Sequence, residues 1–285
     1  MSIFKKARLV FKYILKLSLW NTLRINFRFL PYRQALKLPI FIFKHSELHI
    51  GKNAQLHFVC PLQTGMVKLG ACDIRWLPKG SRNYFSFDGR IIINGTNVKV
   101  GYNSKIILAQ NATIWFGGEN FINHDNQLLV HCKLSLAFGT SIGWNCQLCD
   151  TAFHYIIVDG KVSRKTKPIY IGRESWVGSY CIVGPGAFLP DYSILAQCTL
   201  LNKDFSKDGK HLLLGGIPAK IIRRGAMRIM ESIHPKISNA IDDFFENNPD
   251  IVTINIASII NNESQEQTHI GDSPNINSFF HNNNK

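Results

Sequence analysis

A mainly β solenoid, a prism of short flat faces stacked turn on turn, is the fold predicted for this 285-residue chain, and three observations carry that reading. First, from Ile171 to Leu201 the chain repeats every six residues without a slip, placing Ile171, Val177, Val183, Leu189, Leu195 and Leu201 at one position, all aliphatic. Second, Ser175, Cys181, Ala187, Ser193 and Thr199 recur at the fifth position of the same hexads, all small. A helix or coiled coil repeats at about 3.6 or 3.5 residues, so six fits neither, whereas a β-helix coil of short faces requires it. Each face then contributes one aliphatic side chain to a narrow core and one small residue at a corner, and turns must stack because one turn cannot bury its own core. Third, a composition of 45% hydrophobic and 11% aromatic residues is that of a globular chain.

The elements follow in order. Residues 1–45 form a basic amphipathic segment in which Ile14, Leu15, Leu17, Leu19, Trp20, Phe27, Phe29 and Leu30 are mixed with ten lysines and arginines that all precede the first acid, Glu47. One or two helices, broken near Pro31, are expected there. They either lie on an anionic membrane face, where each cation contributes about 1 kcal/mol, or pack on the first coils. Residues 46–224 are the solenoid. Between 46 and 150 the hexad frame runs back from Ile142 through Leu136 and Val130 and reappears at Ile106 and Val100, with exceptions at His124 and Gly118, so these are read as less regular coils. A polar, cationic stretch at 151–168, with Lys161, Arg164, Lys165 and Lys167, leaves the repeat as a loop whose ends the coils hold rigid. Gly215 to Lys220, read GGIPAK, closes the solenoid. A helical segment at 225–260, with its helix over 226–247, and an Asn-rich disordered tail at 261–285 complete the chain.

Bulk properties limit the function classes. The net charge of +14 is local to the N-terminus, where cations are interleaved with bulky apolar residues. That pattern favours a membrane surface or an anionic glycan over nucleic acid. Seven cysteines, at 60, 72, 132, 146, 149, 181 and 198, have no paired spacing. The Cys146–Cys149 pair has no second pair nearby and reads as buried small hydrophobes, so a reducing cytoplasm is expected. No run of about 18 uncharged apolar residues offers a spanning helix, and Lys12 and Lys16 interrupt any signal-peptide core.

His154 closes the string Asp150-Thr151-Ala152-Phe153-His154 just after the coil IGWNCQ. A histidine at a loop root with a carboxylate nearby can serve as a general base whose tautomer its neighbour fixes. Hexads, a loop opening on His154, further hexads and a GGxPAK exit resemble the hexapeptide-repeat acyltransferases, especially the maltose/galactoside O-acetyltransferase branch and its polysaccharide-modifying relatives. The resemblance is strong over about 121–224 and thin elsewhere.

It implies a left-handed parallel β-helix, a homotrimer with sites in the clefts between subunits, and acetyl-CoA as donor with no metal. It further implies His154 as the base that deprotonates an acceptor hydroxyl, with Asp150 orienting it or binding a hydroxyl. Ser179 matches a position near the thioester, Trp176 an aromatic beside the pantetheine arm, Ala196 a coil edge past which the donor slides, and Lys203 and Arg223 the cations near its phosphates. Asn123 and Trp144 match acceptor-binding positions. The family's acceptor-holding Asp falls near His131 or Cys132, a departure from the pattern.

The expected activity is O-acetylation of a saccharide, in surface polysaccharide biosynthesis, by a cytoplasmic enzyme peripheral to the inner membrane face. N-acetylation of an amino sugar or an antibiotic is the nearest alternative, and a non-catalytic scaffold is another. A γ-class carbonic anhydrase would need a zinc site from His124, His131 and His154, whose spacing does not resemble that family's.

Overall fold

The computed structural model describes residues 14–71, 82–254 and 256. The first thirteen residues, Cys72 and the tail at 261–285 therefore lie outside the described residues. Two compact units divide the chain, residues 1–228 and 229–285.

The first unit is a parallel β-helix with three faces. Strands starting with Ile40–Ile42, Ser46–Ile50 and Gln55–Phe58 open the three faces, and each later turn adds one strand to each sheet in parallel register. From Trp176 to Leu201 every face is two residues long, as in Trp176–Val177, Ile182–Val183 and Phe188–Leu189. One side chain per face then points inward and its neighbour outward, because alternate residues of a strand face opposite sides. Val177 stacks on Leu195 and Val183 on Leu201, eighteen residues on in each case. Both hexad series are buried, with none of their members more than 2% exposed. The small residues also wire one coil to the next: the Ser175 hydroxyl donates to the Pro190 carbonyl (2.7 Å) and accepts from the Ser193 N–H (3.1 Å). The Ser193 hydroxyl accepts in turn from the Leu212 N–H.

Residues 83–149 are wider, and here the hexad frame requires correction. Ile106 stacks on Leu128 twenty-two residues on, and Leu128 on Leu148 twenty residues on. The cause is strand length. Lys105–Leu108, Gln127–Val130 and Lys133–Leu136 have four residues, so Leu128 and Val130, and likewise Leu134 and Leu136, both point inward. The residue in register with Ile142 is therefore Ile122, and His124 stands at a corner rather than on a face.

Both ends of the prism are covered. Helix α1, Leu19–Phe29, lies across the first coil and buries Thr22, Ile25 and Asn26. The Asn26 amide donates to the Ile40 carbonyl (2.7 Å) and accepts from the Ile40 N–H (3.1 Å), while the Thr22 hydroxyl does the same for Ile42. These side chains occupy hydrogen-bonding groups that would otherwise form an open sheet edge. Pro31 separates α1 from the short α2, Tyr32–Ala35, so the packed alternative holds for this part of the N-terminus. At the far end, Leu212–Gly215 and Lys220–Arg224 form an antiparallel hairpin on the first face. Among the described residues no helix is long and apolar enough to cross a membrane.

In the second unit, α3 spans Pro235–Asn247. It begins nine residues later than the sequence suggests, because Pro235 occupies its first turn, where the missing N–H is harmless and φ is already helical.

Candidate functional site

The chain leaves the prism at the corner between the second and third faces, and the departure point is fixed firmly. Asp150 is 1% exposed, and its carboxylate accepts from the N–H groups of His131 (2.7 Å), Cys132 (2.8 Å) and Lys133 (2.6 Å) in the coil before. Burial pushes its carboxyl above the usual range, against the pull of these three bonds and the neighbouring His131. The Asp150 carboxylate thus holds the loop root, acting as the corner residue of its turn.

The excursion is a hairpin extension, not an irregular loop. Thr151 and Thr166 form an antiparallel bridge, and the Ala152 N–H donates to the Lys165 carbonyl (2.7 Å). Ile157–Val158 then pairs with Lys161–Val162 around Asp159 and Gly160, both at positive φ, the backbone form preferred in two-residue hairpin turns. The tip is also more apolar than its charge suggests: Tyr155, Ile156, Ile157, Val158 and Val162 are all exposed.

His154 follows Phe153, one of fifteen non-glycine residues at positive φ among the described residues. Phe153 has φ of 59°, rare for a bulky side chain. It is held there by its N–H to the Thr151 hydroxyl (3.0 Å) and by its ring, edge-on to His131 at 5.3 Å. The His154 N–H donates to the Ala152 carbonyl (2.7 Å), and the residue stands exposed at this corner.

A second group of the residues singled out above stacks at the corner between the first and second faces, one per coil: Asn123, Trp144, Ser179 and Ala196. The Ser179 hydroxyl accepts from the Trp144 N–H (3.1 Å), leaving its own hydrogen to donate elsewhere. Gly143 makes that approach possible, since a Cβ there would lie 2.8 Å from the Ser179 oxygen. Beneath Trp144, the His124 ring sits edge-on at 5.8 Å. His124 Nδ1 accepts from the Tyr102 N–H (2.9 Å), so the neutral ring carries its proton on Nε2. Burial lowers its pKa, with Asp125 pulling the other way. Asn126, fully buried, ties the same corner together through the Asn123 and Gly143 carbonyls and the Cys146 N–H.

Trp176 lies on the adjoining first face, 36% exposed. Arg223 is on the closing hairpin of that face, opposite Leu213. Lys203 belongs with Asp150 and His154 at the other corner, where its carbonyl accepts from the Phe188 N–H.

The fold therefore gathers the sequence-selected residues at two corners, with the second face between them. Six residues separate Trp144 from Asp150, roughly 15–20 Å of extended chain. A base needs contact at about 3 Å with the proton it removes. Within one chain, His154 and the Trp144–Ser179–Ala196 ridge do not form one site. The three histidines weighed for zinc are likewise divided, His124 at one corner and His131 and His154 at the other. Among the described residues no group of three or more His, Cys, Asp or Glu is arranged to hold a metal ion. Cys146 and Cys149 point to different partners, the Gly178 and Thr151 carbonyls, and both are free. Sequence reasoning passed over Asn126 and the contacts of His131 and His124. In the sequence His124 stood out through its break in the hexad frame and as one of the three histidines weighed for zinc.

No family model matches the chain. The galactoside O-acetyltransferase of Escherichia coli (strain K12) is 30% identical over 56 residues, which are 20% of this chain and 26% of that protein. The chain thus matches about a quarter of that relative's length. The solved polySia specific acetyltransferase NeuO has a TM-score of 0.47 at 17% identity, covering 71% of this chain and 98% of its own. A maltose O-acetyltransferase from Clostridium difficile 630 gives 0.34 at 15%, covering 72% and 82%. A hexapeptide-repeat acetyltransferase from Vibrio cholerae O1 biovar eltor, solved with acetyl coenzyme A, gives 0.33 at 14%, covering 73% and 85%. The chain resembles proteins of the same kind as those its hexads suggested.

Proposed function

We propose that this chain is an acetyl-CoA-dependent O-acetyltransferase acting on a saccharide hydroxyl, with a site completed between two copies of the chain in a trimer. The reading starts from the resemblance to hexapeptide-repeat acyltransferases, including the left-handed winding that it implies. The observation that carries it is the separation of the two corners: His154 stands on a braced root at one, while the open ridge of Trp144, Ser179 and Ala196 stands at the other. A neighbouring copy can set its ridge against this chain's His154. The exposed apolar hairpin tip gives that neighbour a surface to cover, since a monomer seldom leaves such a patch to water.

In this reading Trp176, Ala196 and the ridge guide the pantetheine arm, and Lys203 and Arg223 meet phosphate groups through charge-assisted contacts. Asn123 and Trp144 contribute to holding the acceptor. His154 takes the proton from the acceptor hydroxyl as its oxygen forms a bond to the thioester carbonyl carbon. The Ser179 hydroxyl or a ridge N–H donates to the oxyanion of the tetrahedral adduct. The C–S bond then breaks, and the proton on His154 passes to the departing thiolate. Asp150 does its part through the corner, holding the loop root from which His154 projects.

The test mixes two inactive variants. His154→Ala lacks the base, and Ala196→Trp obstructs the ridge. Transfer of labelled acetyl from acetyl-CoA to saccharide acceptors should be lost in each alone and partly regained when the two are refolded together, because some clefts then draw an intact corner from each copy. Failure of the mixture to regain activity, with mixed oligomers demonstrated, would reject the shared site. Absence of transfer by the unaltered protein to any saccharide or amino sugar would reject the activity.

A further inference from the structure

We infer that the outer face of α1 is a docking surface for an anionic lipid bilayer, presented at the end of the solenoid. The helix lies flat across the first coil, with Thr22, Ile25 and Asn26 turned inward to cap it. At about 100° per residue, Leu19, Leu23, Phe27 and Trp20 share a sector of about 100° whose centre lies roughly 120° from that of the inward residues, with Phe27 and Trp20 turned furthest from them. All four are exposed, Trp20 most of all at 74%. Tyr32 and Leu36 extend the patch past Pro31, the Tyr32 ring lying 5.9 Å from that of Phe27. Arg24 and Arg28 border the apolar sector, with Arg33 and Lys37 beyond, all exposed.

Charge complementarity selects the occupant. No acid precedes Glu47 in the sequence, and the exposed Arg24, Arg28, Arg33 and Lys37 accompany the apolar residues at this end of the protein. A surface that is apolar in depth and negative at its boundary meets both requirements, and a bilayer with anionic headgroups is such a surface. Trp and Tyr suit the headgroup level, since each joins an apolar ring to a polar edge. Because α1 seals the end of the prism, docking would hold the solenoid axis upright. The His154 coil lies four coils further on, about 20 Å at the spacing of neighbouring strands. Resting on the proposed transferase reading, the site would then address a saccharide chain extending from the bilayer rather than a headgroup within it.

Sedimentation of the full-length chain with vesicles tests the surface without reference to catalysis. Vesicles containing phosphatidylglycerol should carry the protein down, and pure phosphatidylcholine vesicles should leave it in solution. The triple variant Trp20→Ser, Leu23→Ser, Phe27→Ser should lower partitioning at least about tenfold, and Arg28→Gln with Arg33→Gln should lower it less and weaken its salt dependence. Thermal unfolding of both variants should match the parent, because these side chains are exposed. Equal partitioning of parent and triple variant, or no partitioning onto anionic vesicles, would overturn the proposal. So would a change in lipid-free oligomeric state on the triple substitution, which would make the face a protein interface. Acetyl transfer to a soluble acceptor remains a separate measurement, so failure of either reading leaves the other intact.

Discussion

The coils before residue 150 and those after 169 build one continuous core by different rules. In the later coils each face from Trp176 to Leu201 has two residues and a turn takes eighteen, so one aliphatic side chain per face fills the section. In the earlier coils most second and third faces have four residues, a turn takes twenty or more, and the extra inward positions are taken by residues as large as Phe87 and Phe116. A wider section is harder to fill: an apolar cavity of about 20 Å³ remains under α1, lined by Ile25, Leu69, Phe87, Ile93 and Phe116 among others. It offers no polar partner to a water and so stays dry. Narrow coils resemble a crystal lattice in their repetition, and wide ones a conventional core. The excursion hairpin with His154 leaves where one regime gives way to the other.

The largest effect is expected at that junction. His154→Ala should lower kcat about 10²–10⁴-fold, the usual contribution of a positioned base, while His49→Ala in the wide coils should leave turnover unchanged. Steady-state kinetics of both variants checks this, and comparable losses in the two would remove His154 from the chemistry.

The two core regimes should fail in opposite ways. Phe85→Ala, which empties a fully buried site in the wide section, should cost about 3–5 kcal/mol. In the narrow section added volume is the danger, and Ala187→Leu should cost about 1–3 kcal/mol. Urea unfolding measures both. If Ala187→Leu were neutral, the narrow coils would be looser than their repetition suggests.

Between these in magnitude lies Asn26→Ala, which strips the Ile40 N–H and carbonyl of their partner at roughly 1–3 kcal/mol for each buried group left unpaired. Since a solenoid couples nearest neighbours, amide exchange should quicken in 40–58 and remain slow in 176–201. Uniform quickening would mean that both regimes unfold as one.

The smallest effect concerns pH. Burial depresses the pKa of His124 below 6.5, so as pH falls through that value the unfolded chain takes up the proton before the folded one does. Stability should therefore decline from pH 6.5 down to the folded pKa and then level off as far as this group is concerned. The slope should be reduced in His124→Gln, compared by urea midpoints across the interval.

How far the sequence could be read depended on the same division. The hexads from Ile171 to Leu201 are legible because a two-residue face has one inward slot, leaving the period no freedom. The frame holds at Val130 and breaks at His124 because a four-residue strand inserts two residues without disturbing the local alternation, and only strand pairing reveals the slip. The sequence marked the N-terminus as amphipathic and basic but left two uses open. Contacts of Thr22 and Asn26 with Ile40 and Ile42 show one face of α1 closing the prism, which composition alone could not distinguish. Asp150 was conspicuous for its place near His154, yet its carboxylate is engaged by three N–H groups from residues 17–19 positions earlier.

By itself, the sequence determined the solenoid, the break at 151–168 and the residues worth examining, because periodicity and loop chemistry are local. The division of those residues between two corners was decided only by the folded chain. Which corner a residue occupies depends on the summed length of every face before it, and no local pattern records that sum.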